Sequence, residues 1–274
     1  MTWRNSILKQ ILRLQMTQGW VRRVNDVLYE TENFHWRETK RWYQIQELLW
    51  LLSPVLLDPS DYKRYGNLKD GGYVLYGDIA DSFVLSIGIG DNTTFEEEIS
   101  ESVRAVLMVD HTVEVNPLSR GNVHFFPKKL VPYASDSNEI DLTSLVKLAE
   151  NESRIILKID IEGDEWAIFQ QVPDEILMKL QQIVVEFHGL LRLCRSEIDS
   201  ALDALNKINK YFQAVNWHGN NFSRHEYFLG IPIQDVIEVT FVSRQSYQLA
   251  KPRFLGLNFP NNPEAPEVVL GSPF

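Results

Sequence analysis

The spacing of apolar side chains separates an N-terminal part of the chain from a longer part with a different pattern. Within residues 3–52, apolar positions such as Ile7 and Ile11 recur at intervals of three or four residues, which predicts helices. Residues 53–72 are rich in Pro, Gly and Asp and are expected to be a connection rather than a helix or strand. These patterns predict an N-terminal helical extension at residues 1–55.

From about residue 73, short apolar runs alternate with amphipathic runs. The predicted strands lie at 83–90, 106–110, 123–127, 155–160, 183–188, 212–218 and 236–244, and the predicted helices begin near residues 94, 141, 164 and 196. Short connections between such elements are typical of a parallel sheet with helices on both faces. Residues 219–232 have no clear helical pattern, which favours an antiparallel pair formed by the last two strands. We therefore expect an α/β fold with a doubly wound, mostly parallel sheet.

The composition limits the classes of protein to be considered. The chain has 274 residues, 44% hydrophobic and 23% charged, so it can bury a core and is not a disordered protein. A net charge of −10 argues against a nucleic-acid partner, because proteins that bind phosphate backbones carry basic faces. The single cysteine, Cys194, excludes an internal disulfide and fits a reducing compartment, so a cytoplasmic location is expected.

No apolar run is expected to cross a membrane or to act as a signal peptide. The most apolar run, residues 48–57, is short and is interrupted by Ser53 and Pro54. The basic, amphipathic N-terminal segment has two settings: it lies on a membrane surface, or it packs on its own domain or on a second subunit. Packing is the favoured setting, and it makes a homodimer through the N-terminal helices a candidate assembly.

A glycine-containing turn follows the first strand of the alternating part. Gly88 and Gly90 permit a sharp bend and the close approach of a ligand, and Thr93 stands where a dinucleotide fingerprint has its third glycine. Thr93 or Thr94 is also a candidate helix cap, with Glu96 or Glu97 completing a capping box. Acids at a helix start disfavour a pyrophosphate, so a nucleoside without phosphates is the expected ligand. Asp110, which ends the next strand, is placed to accept hydrogen bonds from its ribose.

Acidic and imidazole side chains end three of the later strands. They are Asp160 and Glu162, Glu186 and His188, and His218. Residues two apart on a strand share one side of it, and parallel strands end at one edge, so these side chains are expected to meet. Two functions stay open: a general base, or a divalent-metal site formed by Asp160, Glu186 and His188. Taken singly, each residue has the alternative interpretation of a solvated strand end or a helix cap.

Six stretches resemble the FkbM-like branch of the class I S-adenosylmethionine-dependent methyltransferases. They are 157-LKIDIEGDEW-166, 64-RYGNLKDGGYVL-75, 86-SIGIGDNTTFEEE-98, 109-VDHT-112, 185-VEFH-188 and 215-VNWHGNN-221. The first is the most specific, whereas the glycine turn is shared by methyltransferases generally. The likeness covers roughly residues 62–243, and residues 1–55 match nothing known.

The resemblance implies a seven-stranded sheet whose last strand is antiparallel, and S-adenosylmethionine as cofactor. It implies that Gly88 and Gly90 approach the methionine part of the cofactor, that Asp110 holds the ribose, and that residues 70–72 form a loop over it. The predicted cofactor-binding residues are Ser86, Gly88, Gly90, Asp91, Asn92, Asp110, His111, Asp70, Gly71 and Gly72. The sequence Asp110-His111-Thr112 departs from the Glu-Pro of many relatives, which puts the adenine contacts in question.

Methyl transfer to a hydroxyl of a sugar or natural product is the function that the resemblance implies. The general base that removes the proton of that hydroxyl is expected to be Asp160 or His188, and His218 and Glu162 are further catalytic candidates. Mg²⁺ or another divalent ion is a candidate second cofactor. The alternatives are an inactive binding protein with the same fold and an NAD-dependent oxidoreductase. The predicted domains are a helical extension at 1–55, a methyltransferase domain at 56–245 and a C-terminal tail at 246–274, packed on the domain or partly extended.

Overall fold

The computed structural model describes residues 40–55, 57–228, 231–246 and Asn261. Contacts divide the chain into two units, Met1–Gln44 and Ile45–Phe274. The predicted helices before residue 40, and the homodimer assigned to them, lie outside the described residues, as does most of the predicted tail. The domain boundaries at 55 and 245 therefore stay predictions. None of the described helices has the length and apolar composition needed to cross a bilayer.

The described elements are short and follow one another closely. The strands are β1 (Tyr62–Gly66), β2 (Gly72–Tyr76), β3 (Phe83–Ile87), β4 (Ala105–Val109), β5 (Val123–Phe126), β6 (Lys129–Leu130), β7 (Glu139–Ile140), β8 (Ile155–Ile159), β9 (Leu180–Phe187), β10 (Phe212–Gly219), β11 (His225–Phe228), β12 (Ile231–Gln234) and β13 (Ile237–Ser243). The helices are α1 (40–52), α2 (Thr94–Ile99), α3 (Leu142–Leu148), α4 (Glu165–Gln171), α5 (Asp174–Leu177), α6 (Leu190–Arg192) and α7 (Ile198–Tyr211), with a 3₁₀ turn at Pro59–Asp61 and a π-helical turn at Leu193–Glu197.

The central sheet has seven strands in the order β10-β13-β9-β8-β3-β4-β5. β13 runs antiparallel to both of its neighbours, β10 and β9. The other four pairings, which join β9, β8, β3, β4 and β5 in that order, are parallel. This confirms the doubly wound, mostly parallel fold expected from the sequence. After β5 the chain returns to the other side of β3 to form β8, so the strand order reverses between these two strands, which is where open α/β sheets bind ligands.

Both faces of the sheet are covered, which explains the apolar runs of the central strands. All five residues of β8 are buried, and their alternation sends Leu157 to one face and Ile156 to the other. On the first face the core includes Leu205 of α7, together with Ile45 and Leu52 of α1. The last part of the predicted N-terminal extension, residues 45–52, thus contributes side chains to the core of the second unit.

Two hairpins occupy segments without a predicted strand. Residues 53–72 were expected to be a connection, which is wrong for β1, because this strand pairs with β2 across the turn at 67–71. Tyr65 and Tyr73 of this hairpin are buried in the same part of the core as Ile156. Their packing therefore stabilises a strand in spite of the local abundance of Gly and Asp. The other hairpin, β11 with β12, lies in the loop that was expected to contain no helix.

Candidate functional site

The turn after β3 lies between the ends of its two neighbouring strands. The Gly88 amide donates to the carbonyl of Val109 at the end of β4 (3.0 Å), and a Cβ on Gly88 would lie 1.5 Å from the Asp160 carbonyl oxygen beyond β8. Gly88 and Gly90 both have positive φ, +76° and +56°, but a Cβ on Gly90 would meet open space. Gly88 is therefore required for the close approach of this turn to the backbone of Asp160, whereas Gly90 borders free volume.

Asp110 closes this turn from the end of β4. Its Oδ2 accepts hydrogen bonds from the amides of Ile89 (2.7 Å) and Gly90 (2.9 Å), and its Oδ1 accepts from the amide and hydroxyl of Thr112, both at 2.7 Å. Burial opposes ionisation, but these bonds, led by that of Gly90, outweigh it and lower the pKa of Asp110. The carboxylate is thus held ionised and fixed in position; the predicted ribose contact stays a prediction.

Two cavities meet at the turn. The larger, of about 450 Å³, is lined by Gly88, Ile89, Gly90, Asp110, His111, Thr112, Lys129, Leu130, Asp160, Ile161, Glu162 and Asp164. The smaller, of about 280 Å³, is lined by Asp70, Gly71, Tyr73, Ile89, Gly90, Asp91, Asn92, Phe95, Glu96, Lys158 and Asp160. Eight of the ten predicted cofactor residues line one cavity or both, and the exceptions are Ser86 and Gly72. A site of this size at the reversal of strand order suits a small ligand.

Asp160, Glu162 and His188 come together beside the larger cavity. The His188 Nε2 lies 3.9 Å from Asp160 Oδ1 and 3.5 Å from Glu162 Oε2, while its Nδ1 lies 3.0 Å from Glu165 Oε1. Burial lowers the pKa of His188, but the hydrogen bond and charge of Glu165, with Glu186 and Asp160, outweigh it and raise that pKa to about 9. The imidazole is therefore protonated at neutral pH.

Glu165 is a site residue that the sequence reasoning missed. Its side chain is fully buried, and Oε1 also accepts from the amides of Ile161 (2.9 Å) and Gly163 (3.2 Å). These bonds fix the loop in which Glu162 adopts a φ of +60°, a left-handed conformation unusual for a glutamate. The signal in the sequence was the acidic pair at 164–165 before Trp166, at the predicted start of a helix.

The predicted metal ligands do not all meet. The group whose ligand atoms lie within 4.8 Å of one another, in the part of the chain that the structure describes, is Asp160, Glu165 and His188. Glu186 is absent from it. Its Oε1 accepts from Asn220 (2.8 Å), and its Oε2 lies 3.4 Å from the Tyr73 hydroxyl. Burial, reinforced by the charges of Asp160 and Glu238, raises the pKa of Glu186 well above its usual value.

His218 lies apart from this cluster. It pairs in register with Glu238 on β13, Glu238 pairs with Glu186 on β9, and β8 comes next in the sheet. His218 is therefore three strand positions from Asp160, roughly 14 Å at 4.8 Å per strand. Its Nδ1 lies 3.4 Å from Glu238 Oε2, and its side chain is 5% exposed. His218 therefore lies at the same edge of the sheet as Glu186, as expected, but it does not meet Asp160, because β13 inserts between β9 and β10.

Three further polar side chains near Asp160, those of Tyr73, Lys158 and Glu96, were not assigned to the site from the sequence. The Tyr73 hydroxyl donates to Asp160 Oδ2 (2.9 Å), and Lys158, in the middle of buried β8, lies 3.9 Å from the same oxygen and donates to the Gly88 carbonyl. Glu96 Oε1 accepts from the Ser86 hydroxyl (2.5 Å). A lone lysine in an apolar strand was a readable signal for Lys158.

The predicted capping box at the start of α2 is wrong. Thr93 is the N-cap residue but makes no side-chain capping bond, and Asn92 Oδ1 accepts from the Thr94 amide instead (3.2 Å). Glu96 faces the interior rather than the helix end, because α2 buries the side of the helix that carries Phe95, Glu96 and Ile99.

Comparison with known proteins gives likeness of structure only. No protein-family model and no curated protein matches the chain. Solved structures that it resembles include an rRNA methylase from Streptococcus thermophilus (10% identity, 60% of this chain and 88% of the other, TM-score 0.35). Others are the N-methyltransferase NodS from Bradyrhizobium japonicum WM9 (12%, 60% and 86%, 0.33) and a protein from Streptococcus mutans in complex with SAH (11%, 60% and 88%, 0.33). Likeness this low assigns no activity, and the strand order itself carries the fold class.

Proposed function

We propose that this protein is an S-adenosylmethionine-dependent methyltransferase acting on a hydroxyl oxygen of a sugar or natural product. The observation that carries the proposal is the pair of cavities that meet at Gly90 and Asp160, where the strand order reverses. A nucleoside fits the larger cavity and an extended tail fits the smaller. The start of α2 presents Glu96 and Glu97 in its first turn, which disfavours the pyrophosphate of NAD.

Asp160 is the base that the geometry favours. It lines both cavities and so stands beside the junction at which the methyl group would lie. A pKa of about 9 makes His188 a cation at neutral pH, so it does not accept a proton but stabilises the negative charge of Asp160. In the proposed reaction the acceptor oxygen attacks the methyl carbon, the carbon–sulfur bond breaks with its electron pair going to sulfur, and the hydroxyl proton passes to Asp160.

The contacts of the acidic cluster do not fit a divalent metal ion well. Glu165 Oε1 already accepts from two backbone amides and faces His188 Nδ1 at 3.0 Å. Glu186, the ligand expected from the sequence, bonds to Asn220 instead. No step of the proposed reaction uses a metal ion.

Titration calorimetry of the whole chain with S-adenosylmethionine, S-adenosylhomocysteine and NAD tests the cofactor. The proposal expects binding of the first two and none of NAD; the reverse pattern would identify an oxidoreductase. Release of S-adenosylhomocysteine in the presence of a panel of hydroxylated sugars and natural products, with and without EDTA, then tests the acceptor class. An RNA oligonucleotide in the same panel tests the expected absence of a nucleic-acid partner. Methyl transfer to RNA alone would overturn the proposed acceptor.

A further inference from the structure

Glu96 has one carboxylate oxygen without a hydrogen-bond partner among the described residues. The residue is 1% exposed, and its Oε1 accepts from the Ser86 hydroxyl on β3. Its Oε2 is buried and unbonded. Such an oxygen is costly to bury and calls for an explanation, since native proteins pair nearly all their buried polar atoms.

This carboxylate lines the smaller cavity, whose charge is strongly unbalanced. Four carboxylates border it, those of Asp70, Asp91, Glu96 and Asp160, against the one ammonium of Lys158. Lys158 already donates to the Gly88 carbonyl and lies 3.9 Å from Asp160 Oδ2. An excess of negative charge at a buried, partly unbonded acid suits a ligand that brings a cationic hydrogen-bond donor.

We propose that Glu96 Oε2 binds the α-ammonium group at the amino-acid end of the cofactor. This inference rests on the proposed function and adds to it the group that distinguishes a cofactor with an amino-acid tail from a bare nucleoside. Gly90 borders both cavities without a Cβ, so one ligand can place its nucleoside in the larger cavity and its tail in the smaller. Ser86 is a positioning residue that orients the carboxylate through Oε1.

The same location explains why a carboxylate stays in the core. Burial raises the pKa of Glu96, and the nearby charge of Lys158 opposes that shift. An arriving ammonium group adds a second positive charge and a hydrogen bond to the ionised form, so ligand binding and ionisation of Glu96 favour each other.

Two ligands separate this inference from the proposed function itself. S-adenosylhomocysteine carries the α-amino acid end, whereas 5′-methylthioadenosine has the same nucleoside and thioether without it. We expect Glu96→Gln to weaken binding of S-adenosylhomocysteine by about 10- to 100-fold, the usual cost of losing a charged hydrogen bond, and to leave binding of 5′-methylthioadenosine within about threefold. Glu97→Gln, which changes the exposed neighbour in the same helical turn, is the matched control and should change neither.

Each result of the calorimetry decides the matter. Equal loss of both ligands in Glu96→Gln would show a merely structural effect and overturn the inference, as would unchanged affinity for both. If the wild-type chain binds neither ligand, the proposed function fails and the inference fails with it. Ser86→Ala serves if Glu96→Gln does not fold: it keeps the charge but frees the carboxylate to turn, so a several-fold loss of S-adenosylhomocysteine alone is expected, and no selective loss would count against the proposal.

Discussion

The Asp160 carboxylate accepts one hydrogen bond and lies near two basic side chains while still lining both cavities. Tyr73 donates to Oδ2, Lys158 lies 3.9 Å from Oδ2, and His188 lies 3.9 Å from Oδ1. Asp160→Asn keeps the shape and the Tyr73 bond but cannot take a proton. We expect kcat for methyl transfer to fall by about 10²- to 10⁴-fold, the usual contribution of a general base, with little change in the dissociation constant of S-adenosylhomocysteine.

The control for this change is Asp203→Asn, on the exposed side of α7. It removes the same charge from the chain and should leave both quantities unaltered. Full activity in Asp160→Asn would remove Asp160 as the base. A wild-type chain that binds S-adenosylhomocysteine but shows no turnover with any acceptor would favour a binding protein.

His188 couples the cluster to pH. Its pKa is about 9 in the folded chain against 6.5 unfolded, so protonation stabilises the fold; this contribution is complete below about pH 6.5 and is lost as pH rises through about 9. We expect the free energy of unfolding of wild type to exceed that of His188→Gln by on the order of 2 kcal/mol at pH 6, and this difference to shrink by pH 9.5. Urea denaturation at both pH values measures it.

The exposed His225 gives the comparison, since His225→Gln should show no such pH-dependent difference from wild type. A difference between wild type and His188→Gln that stays constant from pH 6 to pH 9.5 would mean that protonation of His188 does not stabilise the fold.

At the scale of elements, the turn after β3 contains a matched pair of glycines. Gly88→Ala places a Cβ 1.5 Å from the backbone oxygen of Asp160, whereas Gly90→Ala meets nothing within 4 Å and incurs only the strain of positive φ. We expect a loss of about 3 kcal/mol or more of unfolding free energy for Gly88→Ala and about 1–2 kcal/mol for Gly90→Ala. Gly90→Ala should fold and bind S-adenosylhomocysteine more weakly, because its methyl group enters the shared part of the cavities.

Chemical denaturation orders the two variants, and calorimetry on the folded one reports the ligand. Equal destabilisation of both would contradict the different surroundings of the two glycines, and undiminished binding by Gly90→Ala would remove the junction of the cavities from the site.

The elements of the sheet could be predicted because their signal is local. The run at 155–159 is apolar on both sides except for Lys158, and a strand covered on both faces shows this in its own residues. Two features depend on contacts remote in sequence and could not be anticipated. β13 inserts between β9 and β10, which carries His218 away from Asp160, and the packing of a six-residue helix turns Glu96 inward although its spacing from Thr93 matches a capping box.

At the scale of the whole molecule, the start of the second unit can be tested by two deletions. Residues 45–52 place Ile45, Leu48, Leu49 and Leu52 in the core, and the Val55 amide donates to the Ala214 carbonyl of β10 (2.9 Å). Removing 1–44 leaves all of these in place, whereas removing 1–55, the extension expected from the sequence, deletes them. Burial of four such side chains contributes at most roughly 6–12 kcal/mol, which is comparable with the whole stability of a domain.

We therefore expect the chain lacking 1–44 to unfold cooperatively and to bind S-adenosylhomocysteine, and the chain lacking 1–55 to be unfolded or molten by near-UV circular dichroism. The Leu51 carbonyl, which accepts from Asn209 of α7 (3.0 Å), is lost only in the second deletion. Both chains lack residues 1–44, so any difference between them arises from residues 45–55 alone. Equal stability of the two would place the domain boundary at 55. It would also mean that the buried side chains of α1 do not contribute to the stability of the core.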